Sequence, residues 1–420
     1  MLPRHGKDTL WRDPEFLKLW LGQTVSQFGS SVTLLALPLA AALTLHASAL
    51  GLGLLRVAAY LPFLVVGLFA GVWADRLPQR PIMIVADLGR AALLLAIPLA
   101  ALVDRLSLAL LAVVAFFVGT LSVLFSVAYG SFLPTLVGRE HLVEGNGKLQ
   151  LSESAAEIAG PLLGGALVSL LTAPLAILLD ALSFLASVAS LVLLRAPARP
   201  APPRPEGRRV WNEIGEGLGA ALGDPLLRGL AGCAGTWALF DNVLYPTLTL
   251  YVLRELRLGP GALGLVYAAA GVGTLSGALS AERLARRYGP GPAIVGGATL
   301  SSVGSVLIPL AGGPAAVAVP TLLAGQFLMG LGYMVFQVNG VSLRQAVTPD
   351  HLQGRVNASA RFVSWVAVPT GALAGGILAR GIGLRPTLWI AAFGGVCGFL
   401  WVLLSPLRWL RERPTPIEKA

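Results

Sequence analysis

Apolar runs of membrane-spanning length recur along the whole chain, and charges are pushed into the gaps between them. A bilayer core takes about 20 apolar residues per helix. Cutting the 420 residues at charge clusters and Pro/Gly turns leaves twelve candidate spans. They run near 16–45, 49–74, 81–103, 107–134, 152–171 and 173–195, then near 228–253, 261–281, 290–311, 315–343, 358–379 and 384–406. Only 12% of the residues are charged and 55% are hydrophobic, with a mean hydropathy of +0.75. A soluble domain carries about 25% charged residues, so a soluble enzyme, a disordered scaffold and a secreted disulfide module are excluded. The expected class is an all-α membrane protein with twelve transmembrane helices.

The charges that remain set sides. Thirty-one Lys and Arg against 21 Asp and Glu give a net +10, which in a soluble chain would suggest nucleic acid. Here 23 of the 31 basic residues fall in the tails and in the gaps that follow the even-numbered spans, and five in the intervening loops, while Arg56, Arg90 and Arg361 lie inside spans. Basic residues collect on the cytoplasmic side. Both termini are therefore expected in the cytoplasm of an inner-membrane, multi-pass protein that does not bind nucleic acid. The opening MLPRHGKDTLWRDPEF has no signal-peptide cleavage pattern. Cys233 and Cys397 have no paired spacing, and the four histidines are scattered, so no disulfide frame, metal site or cofactor is expected. A glycine-rich phosphate loop ending in Lys-Ser/Thr is missing from the sequence.

The chain halves into a repeat. Asp75-Arg76-Leu77-Pro78-Gln79-Arg80 follows span two and Glu282-Arg283-Leu284-Ala285-Arg286-Arg287 follows span eight, 207 residues on. His141-Leu142 recurs as His351-Leu352, and Gly164-Gly165 as Gly375-Gly376, offsets of 210 and 211. Two pseudo-symmetric six-helix bundles are expected, at 1–195 and 228–406, with a tail at 407–420. Between them, 196–227 reads as a Pro/Arg-rich linker, with an amphipathic helix or a plain spacer over Val210 to Leu222.

These residues carry a resemblance. Gly67-x3-Gly71-x3-Asp75-Arg76-x3-Arg80 resembles the loop 2–3 signature of the major facilitator superfamily. Gly147-x8-Ala156-x3-Gly160-Pro161-x2-Gly164-Gly165 resembles the antiporter motif of its fifth helix, with Ala156 in place of glycine. FLKLWLGQTVSQFGSS, Asp87-x2-Arg90 and Gly354-Arg355-Val356 are similar to the drug-exporter branch that contains siderophore and macrolide efflux proteins. Two departures stand out: Pro78 in place of the loop glycine, and Ser30 where the branch often has an acid after Gly29.

The resemblance implies a conformational latch of Gly71, Asp75, Arg76 and Arg80, with Glu282, Arg283 and Arg287 as its repeat. Asp75 would cap the start of span eleven near Val356 to Ala360, and Arg76 and Arg80 would meet acids or anionic headgroups. Asp87 and Arg90, three apart on one face of span three, form a local pair or join that latch. Gly160, Gly164 and Gly165 allow close helix approach, and Pro161 removes a backbone donor.

Acids inside spans are scarce, and an ionisable residue at membrane depth is a functional candidate by default. Asp241 stands about 13 residues into span seven, or about 20 Å at 1.5 Å per residue, between Trp237 and Tyr245 and beside Asn242. It is the first choice for carrying a proton or contacting substrate, followed by Asp180, Glu153 and Glu157. Further substrate candidates are Gln23 and Gln27 on span one, Gln337 or Asn339 on span ten, and Arg361 with Trp365 on span eleven. The superfamily lines its cavity with helices one, four, seven and ten, although interhelical hydrogen bonding suits each amide equally. Gln337 and Asn339, two apart on a helix, point different ways, so at most one faces a cavity.

The expected function is export of amphiphilic small molecules (a drug, siderophore or other natural product) by alternating access, as a monomer and a proton antiporter, with lipids as its surroundings and no enzymatic activity. A lipid or lysophospholipid flippase of the same fold, with Arg361 or Arg56 as headgroup site, and a non-transporting receptor or scaffold are the alternatives.

Overall fold

The computed structural model describes residues 10–66, 78–195, 215–216, 218–219 and 222–412. Every regular element among them is helical. In chain order they are α1 (Pro14–Leu39), α2 (Ala49–Val65), α3 (Gln79–Leu102), α4 (Leu108–Val137), α5 (Leu142–Leu170) and α6 (Ala173–Leu193), then α7 (Pro225–Leu250), α8 (Pro260–Tyr288), α9 (Pro290–Leu310), α10 (Ala315–Val347), α11 (Asp350–Ile382) and α12 (Leu384–Leu403). Nine described helices are long and apolar enough to cross a membrane. The exceptions are α2, which is short, and α5 and α7, which carry more polar residues.

Local chemistry sets where these helices begin. Asp13 accepts the N–H groups of Glu15 and Phe16, and Pro14 stands at the first helical position. Asp224 and Pro225 repeat the same cap at α7, with Leu226 and Leu227 as donors. An acceptor at the cap satisfies otherwise orphaned donors, and proline costs nothing there. Ser107 and Thr172 cap α4 and α6 through their hydroxyls.

The helices outrun the apolar spans. α5 starts at Leu142 rather than 152, and α11 at Asp350 rather than 358. α8 continues to Tyr288, so Glu282 to Arg287 form its last turns instead of a loop. A polar helix needs no lipid to persist beyond the bilayer, so hydropathy marks membrane thickness and not helix length. α8 stops at Gly289, whose φ of 94° and N–H bond to the Ala285 carbonyl close the last turn.

The described residues fall into two compact units. One lies within Met1–Ala40 and Leu61–Pro205, the other within Ala41–Tyr60 and Glu206–Ala420. The stretch 41–60, which the sequence assigned to the first bundle, packs with the second unit. In the first unit Phe16, Leu19, Met83, Phe125, Phe132 and Leu191 form the core. In the second Leu230, Trp237, Ile294, Phe336, Leu343 and Val402 do so. Large apolar side chains such as Leu34, Val85 and Leu279 remain more than 60% exposed, the pattern expected of surfaces solvated by lipid.

Candidate functional site

The second unit brings an arginine, an aspartate and a set of tyrosines together. Glycines make the arrangement possible. A Cβ at Gly53 on α2 would lie 2.5 Å from the Ala372 carbonyl oxygen of α11, and one at Gly376 would lie 2.8 Å from the Leu50 Cα. A Cβ at Gly371 would meet the Leu239 carbonyl and the Asn242 side chain of α7. α2, α11 and α7 therefore touch backbone to backbone. Arg254 adds a hydrogen bond of 2.7 Å to the Ala47 carbonyl.

One turn past Gly53, Arg56 reaches α7. Its Nε donates to Asn242 Oδ1 at 2.8 Å, and Asn242 Nδ2 donates to the Ala238 carbonyl at 2.7 Å. The guanidinium carbon lies 5.3 Å from the ring centres of both Tyr60 and Tyr245, within cation–π range. Tyr245 packs on Tyr267 with ring centres 5.8 Å apart, and the Tyr267 hydroxyl is 3.1 Å from Thr249 Oγ1. Asp241 lies within electrostatic reach of Arg56 and of Tyr245. Among the described residues its carboxylate makes no hydrogen bond and closes no ion pair with Arg56. Asp241 is half-buried, sixteen residues past the start of α7, about 24 Å along the helix.

Trp237, expected beside this group, is part of the wall. It is 4% exposed, donates Nε1–H to the Gly395 carbonyl at 2.9 Å and packs on Phe336. On α10, Asn339 is also committed to structure, donating to the Ala281 and Val335 carbonyls. Gln337 faces the other way. With Trp365 it lines a cavity of about 490 Å³ framed by the start of α7, the end of α10 and the first half of α11. The backbone of Arg361 belongs to α11.

In the first unit the polar candidates engage one another. Asp87 is fully buried and ion-paired with Arg90, whose guanidinium lies 4.5 Å from the Phe125 ring centre and 4.3 Å from that of Phe184. Eight residues into α3, the pair sits about 12 Å from the helix start. Asp180 is 1% exposed, accepts from Ser183 Oγ at 3.1 Å and faces Gly29 of α1. Gln23 donates to Ser187 Oγ at 3.1 Å, while the Gln27 carbonyl oxygen is buried without a partner among the described residues. Glu153 and Glu157 stand exposed on α5, within electrostatic reach of each other.

The helix-five motif packs against α1: a Cβ at Gly160 would fall 2.2 Å from Ser31 Cβ, and one at Gly164 3.3 Å from the Val32 carbonyl oxygen. Gly165 is buried, and α5 runs unbroken through Pro161. Of the latch residues, Gly71, Asp75 and Arg76 lie outside the described residues. Arg80, expected to meet acids or headgroups, donates to the Leu191 and Val192 carbonyls at 2.8 and 2.7 Å, at the negative end of the α6 dipole. Glu282 approaches Arg286 at 3.8 Å, Arg287 lies over Tyr288, and Arg283 is exposed. No metal-binding group of His, Cys, Asp and Glu exists among the described residues.

Tyr60 and Tyr267 were not among the expected site residues, and Arg56 was expected only as a headgroup site of the flippase alternative. The visible signal was Arg56 itself, the lone charge inside the second apolar run.

Solved structures share the fold: a bacterial homologue of the iron transporter ferroportin, inward-facing, matches with a TM-score of 0.74 at 20% identity, covering 94% of this chain and 99% of that one. A bacterial homologue of the human lysosomal transporter Spinster matches at 0.71 and 15% identity, covering 94% and 97%. The chain belongs to the transmembrane secretion effector family of the major facilitator superfamily, whose model matches residues 10–416. Relatives include the multidrug efflux pump Tap of Mycolicibacterium fortuitum, 29% identical over 90% of this chain and 91% of that protein. The enterobactin exporter EntS of Citrobacter koseri is 28% identical over 96% and 94%. The family and the structural neighbours are transporters rather than enzymes.

Proposed function

We propose that the protein exports amphiphilic small molecules by alternating access, coupled to inward proton flow, with Asp241 as the group that exchanges the proton. The observation that carries this reading is Asp241 within electrostatic reach of Arg56, with no ion pair or hydrogen bond closing on its carboxylate among the described residues, where Tyr60 and Tyr245 flank the guanidinium. A lone carboxylate in a low-dielectric wall is costly to keep charged. A guanidinium held by Asn242 and two tyrosine rings compensates that charge without clamping the carboxylate. The acid stays available to a proton or to a polar substrate group, and competition between the two couples their movements. Tyrosine faces supply apolar area and hydroxyls for the rest of an amphiphile.

On this reading the chain has twelve spans, sits in the inner membrane with both termini in the cytoplasm and works as a monomer. The charge bias of 23 to five supports the orientation, and the efflux pumps and exporters among its relatives support the direction. The test is proteoliposomes loaded with a lipophilic fluorescent dye under an imposed pH gradient. Wild-type protein should move dye against its gradient and dissipate the proton gradient, and Asp241→Asn should do neither. Dye movement indifferent to the pH gradient would overturn proton coupling.

A further inference from the structure

A second place in the same unit has the makings of a site distinct from the Arg56–Asp241 group. The cavity of about 490 Å³ is walled by Leu227 and Leu230 of α7, Phe336 of α10, and Val356, Val363 and Trp365 of α11. Its size is that of ordinary small-molecule pockets. Four polar lining groups, Gln337, Asn357, Ser359 and Ser364, share it with Arg344, the single charged side chain among the described lining residues, which include no acid. The Nε of Arg344 is buried and has no hydrogen-bond partner among the described residues. A buried donor on a charged group left unmade is costly, and an anion is the acceptor that a guanidinium pairs with most strongly.

Leu218, from the segment preceding α7, completes the lining. Two residues earlier Glu216 is ion-paired with Arg355, next to the lining residues Val356 and Asn357. That pair occupies the neighbouring cation, which leaves Arg344 as the cation of the described lining.

We propose that this cavity binds an amphiphile with one anionic head group, the head group seated on Arg344 beside Gln337 and the apolar chain along Leu227, Leu230 and Val363. Arg344 is a planar fork suited to a carboxylate or phosphate. The site stands independently of proton coupling, since it is read by binding alone.

The test uses the full-length protein in nanodiscs of zwitterionic phosphatidylcholine, photolabelled with diazirine-tagged palmitate or with the equally tagged palmityl alcohol. Labelled peptides are mapped by mass spectrometry. Palmitate should label the 227–235 and 356–365 stretches about tenfold more than the alcohol, the factor that about 1.4 kcal/mol from one charge-assisted contact gives. Arg344→Gln should erase that preference and Arg344→Lys should keep part of it. Ala234→Leu, which fills the cavity from α7 and leaves the charge in place, should lower labelling by palmitate. Equal labelling by acid and alcohol in the wild type, or an unchanged preference in folded Arg344→Gln, would overturn the proposal. Adding phosphatidylglycerol separates the sources: competition identifies a bilayer lipid, and its absence a free amphiphile, each consistent with an anion site.

Discussion

The first helix of each unit is built on the same plan and charged on a different one. Asp13-Pro14 opens α1 and Asp224-Pro225 opens α7, 211 residues on. Both helices end in a π turn, at Ala40–Thr44 and Tyr251–Glu255. After each comes a left-handed residue, His46 with φ 51° and Arg257 with φ 52°. The bond from Ala47 N–H to the Ala41 carbonyl recurs from Leu258 to Val252, both 2.9 Å. The same offset carries Ser31 against Gly160 into Asn242 against Gly371. It also sets Ser30 against Asp241. The backbone plan therefore repeats, while the acid moves: in the first unit it stands on α6 as Asp180, hydrogen-bonded to Ser183. The first unit closes Asp87 and Arg90 into a buried pair, and the second leaves Asp241 within reach of Arg56 without an ion pair between them among the described residues. On the proposed function, the difference separates groups that hold a bundle together from groups that meet a ligand.

The sharpest way to break that distinction is to remove one charge from each unit. Asp87→Ala strands the buried Arg90 and should cost about 3–5 kcal/mol, read as loss of monodisperse protein on size-exclusion chromatography. Asp241→Asn and Arg56→Gln should leave the chromatogram intact, with thermal stability within about 1 kcal/mol of wild type, while transport falls at least about tenfold. A folded, active Asp87→Ala protein, or an unfolded Asp241→Asn protein, would erase the contrast.

Smaller effects should come from the two glycine contacts, because what a new Cβ meets differs. At Gly160 it meets the Ser31 side chain; at Gly371 it meets the Leu239 carbonyl, 2.2 Å away, as well as Asn242. Overpacking costs about 1–3 kcal/mol, and Gly371→Ala should stand at the upper end. Ser31→Gly should rescue Gly160→Ala, whereas Asn242→Gly should fail to rescue Gly371→Ala. Melting curves of the four variants in detergent decide this, and equal rescue would mean that the helices slide freely past each other. Trp237→Phe should cost less, about 1 kcal/mol for one hydrogen bond, since Ser302 still donates to the Gly395 carbonyl at 3.4 Å. Transport should be unchanged, and a strong loss of it would return Trp237 to the ligand site.

How much of this was legible beforehand follows from the range of each signal. Span-length apolar runs and a 211-residue echo are properties of one strand of text, so helices and repeat could be read directly. The divergence of Gln337 from Asn339 follows from helical geometry alone. The partner of Asp241 could not be read, because Arg56 lies 185 residues away and reaches it through glycine contacts among three helices. Trp237 was misplaced for a related reason: an indole flanking an acid looks the same whether its N–H meets a ligand or the Gly395 carbonyl. Helix ends at Leu142, Tyr288 and Asp350 escaped because polar residues continue a helix without any hydropathy signal.

The smallest expected effect concerns the segments that lead into α1 and α7. Glu144 on α5 and Arg355 on α11 occupy matching positions 211 residues apart and tie down those segments with opposite signs. Glu144 accepts the Leu10 backbone N–H at 3.0 Å, and Arg355 pairs with the Glu216 side chain. A backbone donor has no charge to exchange. Exchanging Glu216 and Arg355 together should restore the tie, measured as protection of the linker from protease, and no partner change should rescue Glu144→Arg. The Glu144 tie should also depend on pH. Its hydrogen bond from Lys148, then the Leu10 N–H and the nearby Lys148 and His141 charges, hold the carboxyl below the ordinary glutamate range. A carboxyl held low in the folded state stabilises above its unfolded value, about pH 4.3, and loses that contribution as the pH falls further through its folded value. Cleavage near Leu10 should therefore increase in acid for the wild type and be flat with pH in Glu144→Gln. A flat wild-type profile would show that the segment is held by the packing of Leu10 and Trp11 alone.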